Sequence, residues 1–288
     1  LSLDVSGIKA KKPAPLPFLG MSPKGETLSA NGGYFERNGK PWFPVMGEFH
    51  FSRFPCQRWE EELLKMKAGG VNVAATYVFW IHHEEIEGQW DWSGDRNLRG
   101  FVELCGKHGL YLLLRIGPWA HGECRNGGFP DWLLRKPFPL RQNNEGYFHF
   151  VRGFYHNIYQ QVSGLLFSQG GPIIGVQLEN EYGHVGGLTG EAGKEHLRTL
   201  KELAVEEGSD LPFYTAPAWG GGVVVDDEML PVLGGYVEAP WTQHTEELPA
   251  NVNYLIKPFL NGTAIASDFR QVQDDAFTCD THRYPFST

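Results

Sequence analysis

Two carboxylates flank an amide in Glu179-Asn180-Glu181, directly after the apolar, β-branched run Pro172-Ile173-Ile174-Gly175-Val176-Gln177-Leu178. Ionised groups at the end of a buried run are costly unless they are paired or put to use. Cleavage of a glycosidic bond is one reaction that uses two carboxyl groups. One protonates the leaving oxygen, while the other attacks the anomeric carbon or activates water. The carboxyls stand about 5–5.5 Å apart in the first case and about 6.5–9.5 Å apart in the second. Glu181 is the expected acid/base. On an ideal strand Glu179 and Glu181 share one side and Asn180 faces the other. The strand must therefore bend or end near Asn180 if Asn180 and Glu181 are to serve one site.

The elements that must hold these residues alternate between strand and helix. Strands are expected at 43–49, 71–78, 110–116, 170–178, 211–215 and 234–238. A helix over 59–68 stops at Gly69-Gly70. Helical spacing also links Leu98, Phe101, Val102 and Cys105, then Tyr147, Val151, Phe154, Tyr155, Ile158 and Val162, then Leu197, Leu200 and Ala204. Such alternation implies a parallel sheet. Chemistry-bearing residues recur at or just after strand ends: His50 and Arg53, Tyr77 and Trp80, Trp119 to Glu123, Asn180 and Glu181, Trp219, Glu238 and Trp241. That distribution fits a (β/α)8 TIM barrel, whose site is fed by several strands at their C-terminal ends. A doubly wound sheet concentrates its site at one switch point, usually beside a Gly-rich phosphate turn, and no such turn is present. Within the barrel, Glu179 is read as a structural carboxylate paired with an arginine such as Arg115.

Six strands are readable before residue 240, whereas the barrel needs eight. The remaining candidates are 263–267 and 284–288, so the barrel is expected to be incomplete at the C-terminal end. Residues 1–30, rich in Pro, Lys and Ser, read as an extended N-terminal arm, and 31–288 as the barrel domain. Within the latter, Asn38-Gly39 is the turn of a hairpin that closes one end.

Composition narrows the class. A formal net charge of −9 offers no basic footprint for nucleic acid or an anionic membrane surface. No run approaches the ~18 apolar residues of a spanning helix. The cysteines Cys56, Cys105, Cys124 and Cys279 are scattered and contain no C-x-x-C pair, so no metal site and no cofactor are expected. Cys105 falls on an apolar helix face and reads as a core residue. Nine Trp and eleven Tyr supply both core and flat platforms for sugar C–H faces; Trp80, Trp119, Trp219 and Trp241 are the candidate platforms.

The stretch Gly170-Gly171-Pro172-Ile173-Ile174-Gly175-Val176-Gln177-Leu178-Glu179-Asn180-Glu181-Tyr182 resembles the signature of glycoside hydrolase family 35, the retaining β-galactosidases. The resemblance extends to Gly39-Lys40-Pro41, Phe49-His50-Phe51-Ser52-Arg53, Leu63-Leu64-Lys65-Met66-Lys67, Thr76-Tyr77-Val78-Phe79-Trp80 and His83-Glu84. It continues through Arg115-Ile116-Gly117-Pro118-Trp119, Gly122-Glu123 and Gly127-Gly128-Phe129-Pro130-Asp131-Trp132-Leu133-Leu134. Motifs in matching order thus cover roughly residues 30–185. Ile81 departs from the pattern, standing where the family usually has Asn.

The resemblance implies removal of terminal β-galactosyl residues by retaining double displacement, with Glu181 as acid/base. It implies that Asn180 bonds the sugar 2-hydroxyl, and that Tyr77 and Glu123 hold galactose hydroxyls at the closed end. A rim tyrosine and an ion pair with Arg125 are the plain alternatives for those two. His121 either shapes the pocket or caps a loop. Trp119 and Trp241 are further substrate-binding candidates. The family's nucleophile lies on the seventh strand, in a motif without a match here, and is expected beyond Thr288; Glu238 and Asp268 are the weaker in-chain alternatives. A non-catalytic carbohydrate-binding protein, or an inactive fragment, on the same scaffold is the rival reading. The expected partner is an oligo- or polysaccharide ending in β-galactose, and the expected location is secreted or periplasmic.

Overall fold

A computed structural model describes residues 15–31, 35–218, 222–225 and 228–233. Strands β1 (Pro15–Met21), β2 (Thr27–Asn31), β3 (Phe35–Arg37) and β4 (Lys40–Trp42) form an antiparallel sheet in that order. Asn38 and Gly39 take φ of 54° and 69°, as a two-residue hairpin turn between β3 and β4 requires. The reading of residues 1–30 as an extended arm is corrected over 15–30, because β1 pairs with β2 and β2 with β3. Pro15 and Pro17 sit on β1, an edge strand, where a missing backbone N–H is tolerated. Residues 1–14 lie outside the described residues. Tyr111 donates to the Glu26 carboxylate at 2.6 Å and meets Trp42 edge-on at 5.5 Å. Since Tyr111 opens a strand of the second sheet, the antiparallel sheet covers the N-terminal end of that sheet, away from the site.

The second sheet is parallel and runs in sequential order. It comprises β5 (Met46–Glu48), β6 (Val73–Tyr77), β7 (Tyr111–Arg115), β8 (Ile173–Gln177), β9 (Phe213–Ala218) and β10 (Leu230–Leu233). All five residues of β6 are buried, as befits a strand covered on both faces. The first five strands fall inside or beside the ranges expected from sequence. The next described strand is Leu230–Leu233, a segment the sequence reading leaves between strands, and the strand expected at 234–238 lies outside the described residues. Pro231 concealed the strand at Leu230–Leu233, since a proline argues against a strand except at an edge. Among the described residues β10 is an edge and pairs only toward β9.

Helices α1 (Trp59–Ala68), α2 (Trp80–His83), α3 (Leu98–Lys107), α4 (Glu145–Gln161) and α5 (Gly190–Glu206) connect the strands. In α1, Glu60, Glu61 and Glu62 open the helix and Lys65 and Lys67 close it, matching its dipole. Asn97 caps α3 by accepting from Gly100 N, and Asn144 caps α4 by accepting from Tyr147 N. The expected faces are the buried ones: Leu98, Phe101, Val102 and Cys105 on α3, then Tyr147, Val151, Phe154, Tyr155 and Ile158 on α4. Burial pushes the Cys105 thiol up to about 12, so it behaves as a small apolar group. Of the candidate platforms, Trp80 takes the packing role, as a core residue stacked on Phe154 at 4.6 Å. No helix among the described residues is long and apolar enough to cross a membrane.

Two fully buried histidines make this fold sensitive to acid. His83 Nδ1 lies 3.2 Å from the Asp91 carbonyl and His196 Nδ1 3.0 Å from Asn143 Oδ1, while both Nε2 atoms are buried without a partner. A second proton has nowhere favourable to go, and burial pushes each pKa from 6.5 down to about 3. The unfolded chain therefore binds protons that the folded chain refuses. Stability should fall as pH drops from 6.5 toward 3, by about 1.4 kcal/mol per pH unit for each histidine. His196→Phe retains a ring against Tyr182, on which His196 stacks at 4.6 Å. Urea midpoints of that variant should fall less steeply between pH 7 and 5 than those of the parent; equal slopes would place the acid sensitivity elsewhere.

Candidate active site

The parallel ladder continues slightly past the strand ends and then releases the chain into the mouth. Val78 N donates to Arg115 O, Ile116 N to Gln177 O, and Leu178 N to Tyr214 O, all at 2.9–3.0 Å. Beyond Leu178 the backbone changes hand, with φ of 57° at Glu179 and 50° at Glu181. Left-handed non-glycine residues cost about 1–2 kcal/mol each and cluster where surrounding structure over-determines them. Here the backbone is pinned on both sides: Glu179 N donates to Gly117 O and Glu181 N to Ala216 O, each at 2.8 Å. This is the bend that the sequence required. It gives the three side chains different surroundings.

Glu179 turns inward and is 1% exposed. Its partner is Arg141, not the expected Arg115. Arg141 reaches it with Nη2 at 2.8 Å and Nε at 3.3 Å. Burial pushes the Glu179 carboxyl up and the Arg141 charge opposes it; the two-pronged contact is that of a carboxylate. Arg141 also donates to the backbone carbonyls of Asn180 and Val185, and its guanidinium lies 4.7 Å from the Trp119 ring centre. The Tyr182 hydroxyl in turn donates to Arg141 O at 3.0 Å. One buried cation thus clamps the turn that carries Asn180 and Glu181.

Asn180 enters a polar network across the strand ends. Its Oδ1 accepts from the Tyr77 hydroxyl at 2.9 Å, Arg115 Nη2 at 3.1 Å and Gln177 Nε2 at 3.3 Å. Arg115 also donates to Gln177 Oε1 at 2.8 Å, to Glu48 and to the Tyr77 hydroxyl, and its guanidinium lies 3.7 Å from the Tyr77 ring centre. Tyr77 is 3% exposed and burial pushes its phenol well above the ordinary value. Its hydroxyl is engaged with Asn180 and Arg115, so Tyr77 supports Asn180 directly.

Glu181 is the member of the trio turned toward solvent, with 27% of its side chain exposed and His121 Nδ1 3.8 Å from Oε2. His121 stands on a loop whose residues His121, Gly122, Glu123, Asn126, Gly127 and Gly128 all have positive φ. Glycine is required at 127, where a Cβ would fall 2.1 Å from Trp119 Cζ3. The half-buried Trp119 ring is thereby held between backbone and the Arg141 cation on the inner side of the loop. Glu123 is exposed and acts electrostatically on His50. The alternative ion pair with Arg125 does not form, since Arg125 bonds Asp131 at 2.7 Å. His50 stacks on Tyr77 at 5.4 Å, and burial, reinforced by Arg53 and Arg115 against the opposing Glu48, holds its pKa below the ordinary value.

The structure therefore brings Tyr77, Trp119, Glu123, Asn180 and Glu181 to the C-terminal ends of neighbouring strands, with His50 and His121 beside them. Trp219, Trp241, Glu238, Asp268 and Thr288 lie outside the described residues. Glu48, Gln177 and Arg141 were not singled out as site residues from sequence. Gln177 left a signal, a polar residue inside an apolar run. Arg141 left none, in a polar loop 38 residues before its partner. Among the described residues no group of three or more His, Cys, Asp or Glu side chains could hold a metal ion.

Residues 34–248 match the glycosyl hydrolases family 35. Mouse beta-galactosidase is 41% identical over 150 residues, covering 52% of this chain and 23% of its own length. Beta-galactosidase 8 of Arabidopsis thaliana is 32% identical over 245 residues, covering 83% of this chain and 28% of its own. The chain thus spans roughly a quarter of the length of these relatives. Among solved structures, GH5_18 of Streptomyces cattleya in complex with GlcNAc superposes with a TM-score of 0.57 at 12% identity, over 77% of this chain and 58% of that one. The polyextremophilic beta-galactosidase of the haloarchaeon Halorubrum lacusprofundi gives 0.53 at 14% identity, over 73% and 44%. These likenesses establish the fold, a (β/α)8 barrel of which six strands are described. The family match runs from β3 to β10, across the strands that build the mouth, and the chain belongs to glycosyl hydrolases family 35.

Proposed function

We propose that this chain is the barrel of a β-galactosidase that removes terminal β-galactosyl residues with retention of configuration. The observation that carries this reading is the Glu179-Asn180-Glu181 turn at the mouth, left-handed at its two carboxylates. It buries one carboxylate against Arg141 and leaves the other beside an oriented amide. In the first step Glu181 protonates the glycosidic oxygen while a second carboxylate attacks the anomeric carbon. In the second step Glu181 takes a proton from the water that releases the sugar. Asn180 holds the 2-oxygen, a contact that strengthens as the oxocarbenium-like transition state forms. Glu123 faces the glycone end, and Trp119 and Trp241 complete the proposed sugar contacts. The attacking carboxylate belongs to the seventh strand, outside the described residues, with Glu238 and Asp268 as the other candidates.

Support comes from the family membership and from relatives named as beta-galactosidases. An oligo- or polysaccharide substrate and a secreted or periplasmic setting belong to the same reading. Its test is hydrolysis of an aryl β-galactoside by the full-length protein, followed by NMR. β-Galactose should be the first-formed anomer. First-formed α-galactose, or no turnover of any β-glycoside, would overturn it.

A further inference from the structure

Three side chains at the ends of three successive strands converge on one atom, Asn180 Oδ1: Tyr77 from β6, Arg115 from β7 and Gln177 from β8. An amide oxygen has two lone pairs, and three donors exhaust them. The alternative amide orientation would set the Asn180 NH2 against a guanidinium and another NH2, donors facing donors. The network thus fixes which end of the amide is turned inward. Because the amide is planar, anchoring Oδ1 aims Nδ2 away from the network.

Arg115 is the organiser of this arrangement. It donates to the Tyr77 hydroxyl, which directs the single hydroxyl proton of Tyr77 onto Asn180. Its remaining contacts, to Glu48 and to Gln177 Oε1, lock the guanidinium in place, and the second of these orients the Gln177 amide as well. A guanidinium keeps its protons at every working pH, so the donor pattern is permanent. A cation on the amide oxygen also draws charge from the nitrogen and makes Nδ2–H a stronger donor.

We propose that Arg115 is a positioning residue for the sugar 2-hydroxyl contact, holding Asn180 with its NH2 toward the substrate and polarising it. The consequence is a defined polarity: Asn180 donates and the sugar 2-oxygen accepts. This rests on the reading of Asn180 given under Proposed function, and the test separates the two.

The test compares an aryl β-galactoside with its 2-deoxy counterpart in the full-length protein, using Asn180→Ala, Arg115→Met and the pair variant Arg115→Met/Glu48→Gln. The pair variant leaves no unpaired Glu48 charge. Arg115→Met should lose on the order of 100-fold in kcat/KM on the 2-hydroxy substrate and far less on the 2-deoxy substrate. Asn180→Ala should show the same selectivity, and combining it with Arg115→Met should add little. A purely structural role would lower both substrates alike. If Asn180→Ala is selective for the 2-hydroxyl and the Arg115 variants are not, the proposal falls and the Asn180 reading stands. If Asn180→Ala itself loses equally on both substrates, that reading falls and takes the proposal with it. Loss of the far-UV circular dichroism of the fold in both Arg115 variants would assign Arg115 to barrel stability and overturn the proposal.

Discussion

Glu181→Ala should lower kcat/KM by about 10²- to 10⁴-fold on galactosides with poor leaving groups, such as alkyl or sugar aglycones. On aryl galactosides whose phenolate leaves unaided it should change kcat/KM little. The asymmetry follows from the two tasks proposed for one carboxyl group. In the first half-reaction it supplies a proton that a good leaving group does not need. In the second it removes a proton from water, a need that is the same for every substrate. With activated substrates the variant should therefore form its glycosyl intermediate readily and clear it slowly. The observable results are a burst of phenol, a lowered kcat and a lowered KM. The geometry behind this expectation is the release of Glu181 from the strand by its left-handed backbone, which leaves its side chain partly exposed beside His121. A uniform loss across leaving groups would point to a positioning role instead.

Arg141→Met should be the most destabilising substitution among the site residues, costing about 3–5 kcal/mol. It strands the Glu179 carboxylate at 1% exposure and frees the carbonyls of Asn180 and Val185. Removing both charges together, as Arg141→Met/Glu179→Leu, should recover much of that loss, because the penalty is mainly that of an unpaired buried ion. The single variant should also depend on pH in a particular direction. Burial already holds the folded-state pKa of Glu179 above its ordinary value; without Arg141 only the Asn180 backbone N–H opposes burial, and the pKa rises further. Stability contributed by the protonated form is then present at low pH and lost as pH rises through the folded pKa. The variant should therefore lie closer to the parent in acid than at neutral pH. Urea unfolding of parent, single and double variants at several pH values checks all three statements.

Much of this architecture is written locally in the chain. Helices α3, α4 and α5 carry their buried faces as plain 3.6-residue stripes, and the strand before Asn180 carries its β-branched run. The candidate residues Asn180 and Glu181 are legible because carboxylates at a buried strand end demand an explanation. What escaped depends on partners distant in sequence. The strand pairing of 15–31 is set by the hairpin that follows, and the partner of Glu179 comes from a loop without periodicity. Arg115 was placed in the interior correctly but given the wrong carboxylate, since strand spacing says which residues face inward and not which of them meet. The strand at Leu230–Leu233 escaped because Pro231 punctuates a segment that pairs along one side only in the described sheet.

The central claim is that Glu181 is the acid/base and that a different carboxylate is the nucleophile. Azide needs no proton removed before it attacks, so it substitutes for water where the base is missing. Attack on an α-linked glycosyl-enzyme gives a β-product, whereas azide filling the place of a missing nucleophile gives an α-product. The most direct measurement is the NMR identification of the sugar azide formed by Glu181→Ala from an activated aryl β-galactoside. Restored turnover and β-galactosyl azide are the expected result. An α-galactosyl azide, or no acceleration by azide, would contradict the claim.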